Sequence, residues 1–185
     1  MVRMTKEINP NILQTVFTNF LLNAAIKGWG ELEKNKEKYG YDIPFTILVD
    51  PTTACNKKCI GCWAADYNKA LNLSFEKLDK LFTEGKELGI YFYIMTGGEP
   101  LVRKNDILKL AEKHDDCVFM IFTNGTLIDQ KFCEDLCKVG NIVPTISVEG
   151  FDDATDGRRG EGSWKDIMRA MDLMKLNKVP FGFST

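Results

Sequence analysis

The chain has 185 residues, a formal net charge of −2, and acidic and basic residues interspersed along its length. That length carries one large domain with a sizeable core, and the charge balance excludes a basic field of the kind that holds nucleic acid. No apolar run approaches the roughly 20 residues of a membrane span, and Asn9, Pro10 and Asn11 interrupt any signal-peptide core behind the first residues. A reducing, cytoplasmic setting is therefore expected, where six cysteines read as ligands or buried thiols rather than as disulfides.

Ile12, Leu13, Val16, Phe17, Phe20 and Leu21 recur at near-helical spacing and predict an amphipathic helix over 11–26. Its polar face lacks the lysine and arginine row of a membrane-surface helix. Gly28-Trp29-Gly30 predicts a break, and the charged stretch 31–38 a short solvated helix ended by Tyr39-Gly40-Tyr41. Residues 1–42 thus read as an N-terminal helical extension, and 43–185 as the main domain.

Strands and helices then alternate. Strands are predicted over 45–49, 90–95, 117–122, 142–148 and 179–183. Ser74 reads as the N-cap of a helix that Gly89 stops. Further helices are expected over 106–113, over 129–139 before Gly140, and from a cap at Ser163, with Asp166 three residues on, to about 177. Continuous apolar strands between helices predict an α/β fold with a parallel sheet covered on both faces. Right-handed crossovers should join the strands. Spacing leaves an open doubly wound sheet and part of a barrel equally open.

In such folds ligands bind at the carboxyl ends of the strands, and there the polar residues gather. The first strand leads into Cys55, Cys59 and Cys62, spaced C-x3-C-x2-C. Thiolates are soft ligands, so one short loop can wrap an iron–sulfur or zinc centre. A structural zinc site closes with four ligands, and here three stand without a neighbouring fourth. Lys57 and Lys58 are either solvated or offset the charge of such a centre. The second strand leads into Thr96-Gly97-Gly98-Glu99-Pro100. Two glycines permit close backbone approach to a ligand, and their carbonyls with the Glu99 carboxylate can accept from an ammonium group. The stretch is not a phosphate-binding glycine loop, having neither G-x-G-x-x-G nor G-K-[ST]. Thr123-Asn124-Gly125 after the third strand is a turn or a ligand contact. Ser147 and Glu149 share one face of the fourth strand and suit either a hydroxylated ligand or a satisfied polar pair. Arg158 and Arg159, in a Gly-rich loop from Gly157 to Gly162, have the fork geometry that grips a carboxylate, or are surface residues. Cys117, Cys133 and Cys137 read as core. His114, beside Asp115 and Asp116 at a helix end, reads as a dipole or carboxylate partner.

The succession C-x3-C-x2-C, Trp63-Ala64-Ala65, TGGEP, TNG and SVEG resembles the radical S-adenosylmethionine (SAM) enzymes. Its wording is most similar to the peptide-modifying and cofactor-maturing subgroup, many of whose members carry a C-terminal extension with auxiliary clusters. The resemblance covers 45–185. It implies a partial (β/α)6 TIM-like barrel of parallel strands, truncated after about strand five, so that the core is expected to be C-terminally incomplete. It implies that Cys55, Cys59 and Cys62 hold three irons of a [4Fe–4S] cluster and that the amine and carboxylate of SAM chelate the fourth. Reductive cleavage of SAM would give a 5′-deoxyadenosyl radical that abstracts hydrogen from a small-molecule or peptide substrate. An electron donor of flavodoxin or ferredoxin type would supply the reduction. Gly97, Gly98 and Glu99 would hold the SAM amino group, Ser147 and Glu149 the ribose, and Arg158 or its neighbour the carboxylate, while Asn124 lines the cavity. The aromatic that relatives carry just before the last cysteine is Gly61 here, and Trp63, just after Cys62, is the adenine candidate in its place. The rival reading is a zinc-binding α/β interaction domain without redox chemistry.

Overall fold

The computed structural model describes residues 4–64 and 71–185; Ala65, in the stretch quoted above, lies outside them. The chain opens with α1 (Met4–Glu7) and α2 (Pro10–Phe17). Asn9 caps α2, its Oδ1 accepting from the amides of Asn11 at 3.0 Å and Ile12 at 3.4 Å, and Pro10 takes a first-turn position where no N–H is missed. The expected break at Gly28 is absent. The chain continues through a π-helix (Thr18–Gly28) into α3 (Trp29–Tyr39), which ends at Gly40 with φ 77°. Gly28 serves packing instead: a Cβ there would lie 2.5 Å from the Gly89 carbonyl oxygen and 3.2 Å from the Tyr91 ring.

Asparagines fasten these helices to the rest. Buried Asn19 donates from Nδ2 to the carbonyls of Asp115 at 2.6 Å and Cys117 at 2.9 Å, and Asn23 donates to that of Asp116 at 3.0 Å. Asn11 donates to the carbonyls of Cys137 and Lys138, both at 2.9 Å. Ile12, Ala24 and Leu32 belong to the same buried core as the sheet.

The sheet holds β1 (Thr46–Val49), β2 (Phe92–Met95), β3 (Val118–Thr123), β4 (Ile142–Ser147) and β5 (Gly182–Ser184). All pair in parallel, in the order β1-β2-β3-β4-β5. This settles what spacing left open. A doubly wound sheet reverses its strand order at a switch point, whereas strands laid down in sequence order build a barrel wall. The wall is not closed, since β1 and β5 do not pair. Ile90, Tyr91 and Cys117 are buried but precede the ladder, which explains why the apolar runs in the sequence start earlier than the strands.

The connecting helices are α4 (Phe75–Leu88), α5 (Lys104–Lys113, preceded by a 3-10 turn Pro100–Arg103), α6 (Gln130–Val139), α7 (Asp152–Arg159) and α8 (Ser163–Leu176). Ser74 Oγ accepts from the Lys77 amide at 3.2 Å and Asp129 Oδ1 from that of Phe132 at 2.7 Å. Glycines 89 and 140, with φ of 100° and 77°, close α4 and α6. Two expectations fail at α7. Residues 152–159 are helical, so Arg158 and Arg159 lie on a helix and not in a glycine loop; Gly157 is absorbed into it. Ser163 does not cap α8. Asp156 does so from α7, accepting from the amides of Gly162 at 2.9 Å and Trp164 at 2.6 Å, while the Ser163 hydroxyl donates back to the Gly160 carbonyl at 2.6 Å.

Alternate strand residues Tyr93, Met95, Phe119, Ile121 and Ile146 are buried under the helices. Tyr93 packs against Phe82 at 4.7 Å between ring centroids and donates to the Ile90 carbonyl at 2.8 Å. Gly85 makes room, since a Cβ there would stand 2.2 Å from the Tyr93 hydroxyl. Cys117 and Cys133 are buried and Cys137 half-buried; burial pushes the Cys133 thiol up to about 11. His114 is also buried. Its carboxylate partner is Asp79, at 3.0 Å, rather than Asp115 or Asp116, and burial pulls its pKa down. On the opposite face of the sheet Leu48 is 60 % exposed and Ile94 and Phe122 are half-buried. Phe20 of the π-helix packs edge-on against Phe45 and Phe92. No helix among the described residues is long and apolar enough to cross a membrane.

Removing the Asn19 amide strands the buried Cys117 carbonyl and unties that of Asp115, so Asn19→Ala should cost about 1–3 kcal/mol. The urea midpoint should fall without a change in slope, and Asn23→Ala, at a more exposed position, should cost less.

Candidate active site at the carboxyl ends of the strands

The cysteine loop leaves β1 through a zipped neck. Thr52 bridges Asn72, the Thr53 amide donates to the Leu71 carbonyl at 2.9 Å, and the Leu73 amide to that of Pro51 at 3.1 Å. Arg103 spans the neck: Nη1 donates to the Pro51 carbonyl at 2.8 Å and also to that of Leu73. Asp106 orients it, accepting from Nη2 at 2.8 Å. Arg103 lies outside every motif noted in the sequence. The available signal was an arginine and a carboxylate three apart, directly behind the TGGEP stretch.

The TGGEP turn is the bed on which the loop lies. The Thr96 amide donates to the Val49 carbonyl at 3.0 Å, that of Gly98 to Thr52 at 3.0 Å, and that of Glu99 to Ala54 at 2.8 Å. A Cβ on Gly98 would sit 2.2 Å from the Ala54 carbonyl oxygen, and one on Gly97, whose φ is 111°, 2.5 Å from that of Thr52. The close approach expected of a ligand is thus made by the chain entering the cysteine loop. The Glu99 side chain is 1 % exposed and turned into the protein. Oε1 accepts from Thr123 Oγ1 at 2.7 Å and the Leu101 amide at 3.0 Å, and Oε2 from the Asn124 amide at 2.7 Å. Burial pushes this carboxyl up, and the three donors pull it back. Asp50, the last residue before the neck, lies against Gly97, with Oδ1 shielded from solvent and without a hydrogen-bond partner among the described residues.

Asn124 is buried and faces the loop. Its Nδ2 donates to Asn56 Oδ1 at 2.9 Å and lies 4.0 Å from Cys55 Sγ. Its Oδ1 accepts from the Thr126 hydroxyl at 2.7 Å, which in turn accepts from Asn56 Nδ2 at 2.8 Å. Thr123-Asn124-Gly125 is therefore a turn, with Gly125 at φ 78°, and also a contact to the residue after Cys55. Cys55 is exposed as a residue, yet partial burial of its sulfur pushes the thiol up, with Glu99, Cys59 and Cys62 adding negative charge.

At the end of β4, Glu149 and Arg158 meet each other. Glu149 Oε1 accepts from Arg158 Nη1, and from Arg159 Nη2 at 2.6 Å and Nε at 3.1 Å. Arg158 holds the Glu149 carboxyl below the usual glutamate range, with Arg159 assisting. Arg158 also touches the loop: its Nε donates to the Ile60 carbonyl at 3.2 Å, and its own carbonyl accepts from the Ile60 amide at 2.8 Å. Lys57 is not simply solvated, since its Nζ donates to Ser163 Oγ at 2.9 Å, whereas Lys58 is exposed. Ser147 is half-buried, paired in the ladder with Ser184. Gly61 has φ 67°, a left-handed backbone that disfavours an aromatic. Trp63 is exposed beside Cys62.

The family model for the radical SAM superfamily matches residues 49–185. The chain belongs to the radical SAM superfamily. It is 31 % identical over 145 residues to an uncharacterized protein of Archaeoglobus fulgidus, covering 77 % of this chain and 35 % of that protein. It is 32 % identical over 150 residues to Fe-coproporphyrin III synthase of Methanosarcina barkeri, covering 78 % of this chain and 37 % of the synthase. Among solved structures it is similar to anSMEcpe with bound AdoMet and Cp18Cys peptide, at TM-score 0.63 and 24 % identity, covering 75 % of this chain and 42 % of that one. The sheet of this chain has the partial TIM-barrel arrangement of that neighbour. The chain spans roughly a third to a half of the length of the curated relatives it matches.

The cofactors of the radical SAM superfamily are a [4Fe–4S] cluster and SAM, and the site fits a cluster. Cys55, Cys59 and Cys62 are free thiols on one pinned loop. Among the described residues no three of His, Cys, Asp and Glu are grouped to hold a single metal ion. Thiolates are the donors an iron–sulfur cube takes, one on each iron.

Gly98→Ala drives a methyl into the Ala54 carbonyl and should destabilise by about 3 kcal/mol, with faster amide exchange at 52–54. The Glu149 pair gives a pH signature. Because the folded pKa is depressed, its stabilisation is complete above the unfolded glutamate value of about 4.3 and is lost as pH falls through the lower folded value. At low salt, Glu149→Gln should lower Tm at neutral pH, and the gap from wild type should close below about pH 4.

Proposed function

We propose that this chain is the SAM-cleaving core of a radical enzyme acting on a peptide or a cofactor precursor. The observation that carries the reading is a loop of three free thiols pinned across the carboxyl ends of the parallel strands. When bound, the cluster and SAM supply the electron that cleaves the sulfonium and the radical that abstracts hydrogen from substrate.

The protein's own part is ligation, orientation and exclusion of water. Cys55, Cys59 and Cys62 ligate three irons. The Gly97–Glu99 turn receives the SAM amino group through main-chain carbonyls, Glu99 having one of about four acceptor positions left. Ser147 faces the ribose, with Glu149 and Arg158 reaching the cofactor only as an ion pair. Asn124 borders the cavity, and Trp63 covers the adenine. A flavodoxin- or ferredoxin-type protein supplies electrons in a reducing, cytoplasmic setting. The substrate class is supported by the Cp18Cys peptide bound in the anSMEcpe structure and by the Fe-coproporphyrin III in the name of the synthase.

Protein reconstituted anaerobically with iron and sulfide should show a cluster EPR signal that SAM alters. With dithionite it should release 5′-deoxyadenosine and methionine. Replacing Cys55, Cys59 or Cys62 singly by alanine should abolish both. Tetrahedral zinc at these residues, without sulfide, overturns the reading in favour of a zinc-binding interaction domain.

A further inference from the structure

We infer that the last turn of α7 is the positioning device for the middle of the cysteine loop, with Arg158, steered by Glu149, fixing Ile60 and through it Cys59 and Cys62 before any cluster binds. The inference rests on the reading of these cysteines as iron ligands.

Ile60 stands between the second and third ligands and is 72 % exposed, so little apolar packing from the described residues holds it. A Cβ on Gly61 would meet nothing within 4 Å among the described residues. Among the described residues, what ties Ile60 to the rest of the fold is polar and comes from one residue. The Arg158 carbonyl accepts from the Ile60 amide at 2.8 Å, and Arg158 Nε donates to the Ile60 carbonyl at 3.2 Å. Both main-chain groups of Ile60 are thereby satisfied, much as a strand neighbour would satisfy them.

An exposed arginine does not hold such a geometry alone, because ordering its long side chain costs entropy. Here Glu149 supplies the order. Its carboxylate binds the far side of the Arg158 fork and is itself gripped by Arg159, whose side chain is 14 % exposed. The Glu149 amide donates to Thr155 Oγ1 at 3.3 Å, tying the end of β4 to α7. Beside this clasp, Lys57 reaches buried Ser163 at the start of α8. The loop thus rests on one frame running from the end of β4 to α8. In metal sites, partners outside the ligand set orient the ligands and change metal affinity by 10- to 100-fold. With Nη1 committed to Glu149 and Nε to Ile60, Arg158 acts on the cysteine loop as a positioning residue.

Hydrogen exchange on the full chain, without and with cluster, separates the two roles. In the cluster-free protein, Arg158→Ala should speed exchange in 55–64 about tenfold, with the core strands protected as in wild type. Iron uptake on reconstitution should slow by a similar factor. Arg158→Lys keeps the charge without the fork and should fall between. If Arg158→Ala exchanges 55–64 at the wild-type rate, the inference is wrong, whether or not SAM affinity drops. Should that variant lose protection throughout the core, Glu149→Gln decides: selective acceleration in 55–64 supports the clasp, and unchanged exchange there overturns it. Failure of the underlying reading shows in a different arm, as a wild-type chain that takes up no iron–sulfur cluster.

Discussion

The structure depends on the docking of the cysteine loop's entry strand onto the TGGEP turn. Two main-chain hydrogen bonds, from Gly98 to Thr52 and from Glu99 to Ala54, set the direction in which the chain leaves β1. They form only because Gly97 and Gly98 lack side chains where carbonyl oxygens pass at a distance no Cβ tolerates. A conformational freedom that reads as ligand approach is spent first on the protein's own backbone. The ligand site is a consequence: the loop carrying the thiols is set by the same turn that offers carbonyls to a cofactor.

Glu99 makes that turn rigid. A carboxylate this deeply buried is costly unless donors surround it, and the three that do so come from its own turn and from the end of β3. Asn124, whose amide is one of them, continues the chain of contacts through its side chain to Asn56 in the cysteine loop. The ends of β2 and β3 and the loop after β1 are therefore one hydrogen-bonded unit. The neck spanned by Arg103 closes it on one side, and the clasp of Arg158 and Glu149 on the other.

The N-terminal helices follow a different physics. Ile12, Ala24 and Leu32 enter the common core, but register comes from asparagines that reach carbonyls in turns of the main sheet. Such bonds are specific to position, where apolar contact alone tolerates sliding. Gly28 on Gly89 adds a close backbone contact that only two glycines allow.

Periodicity and punctuation in the sequence determined the strands, most helices and their stops, because these are local: apolar runs, the N-cap at Ser74, and glycines 89 and 140 in left-handed conformation. The ligand triplet was legible for the same reason, since C-x3-C-x2-C fits within one loop. Three things only tertiary structure decided. Strand order, and with it the barrel wall over the doubly wound sheet, is a matter of long-range pairing that spacing does not encode. Helix α7 was hidden because Asp152–Arg159 has almost no apolar stripe; it is held by Asp156 across to α8, by Thr155 against β4, and by its arginines on Glu149. And the partners of Glu99, Glu149 and Arg158 were set by the fold, because a charged side chain takes the nearest opposite charge or donor in space, whichever ligand its motif suggests.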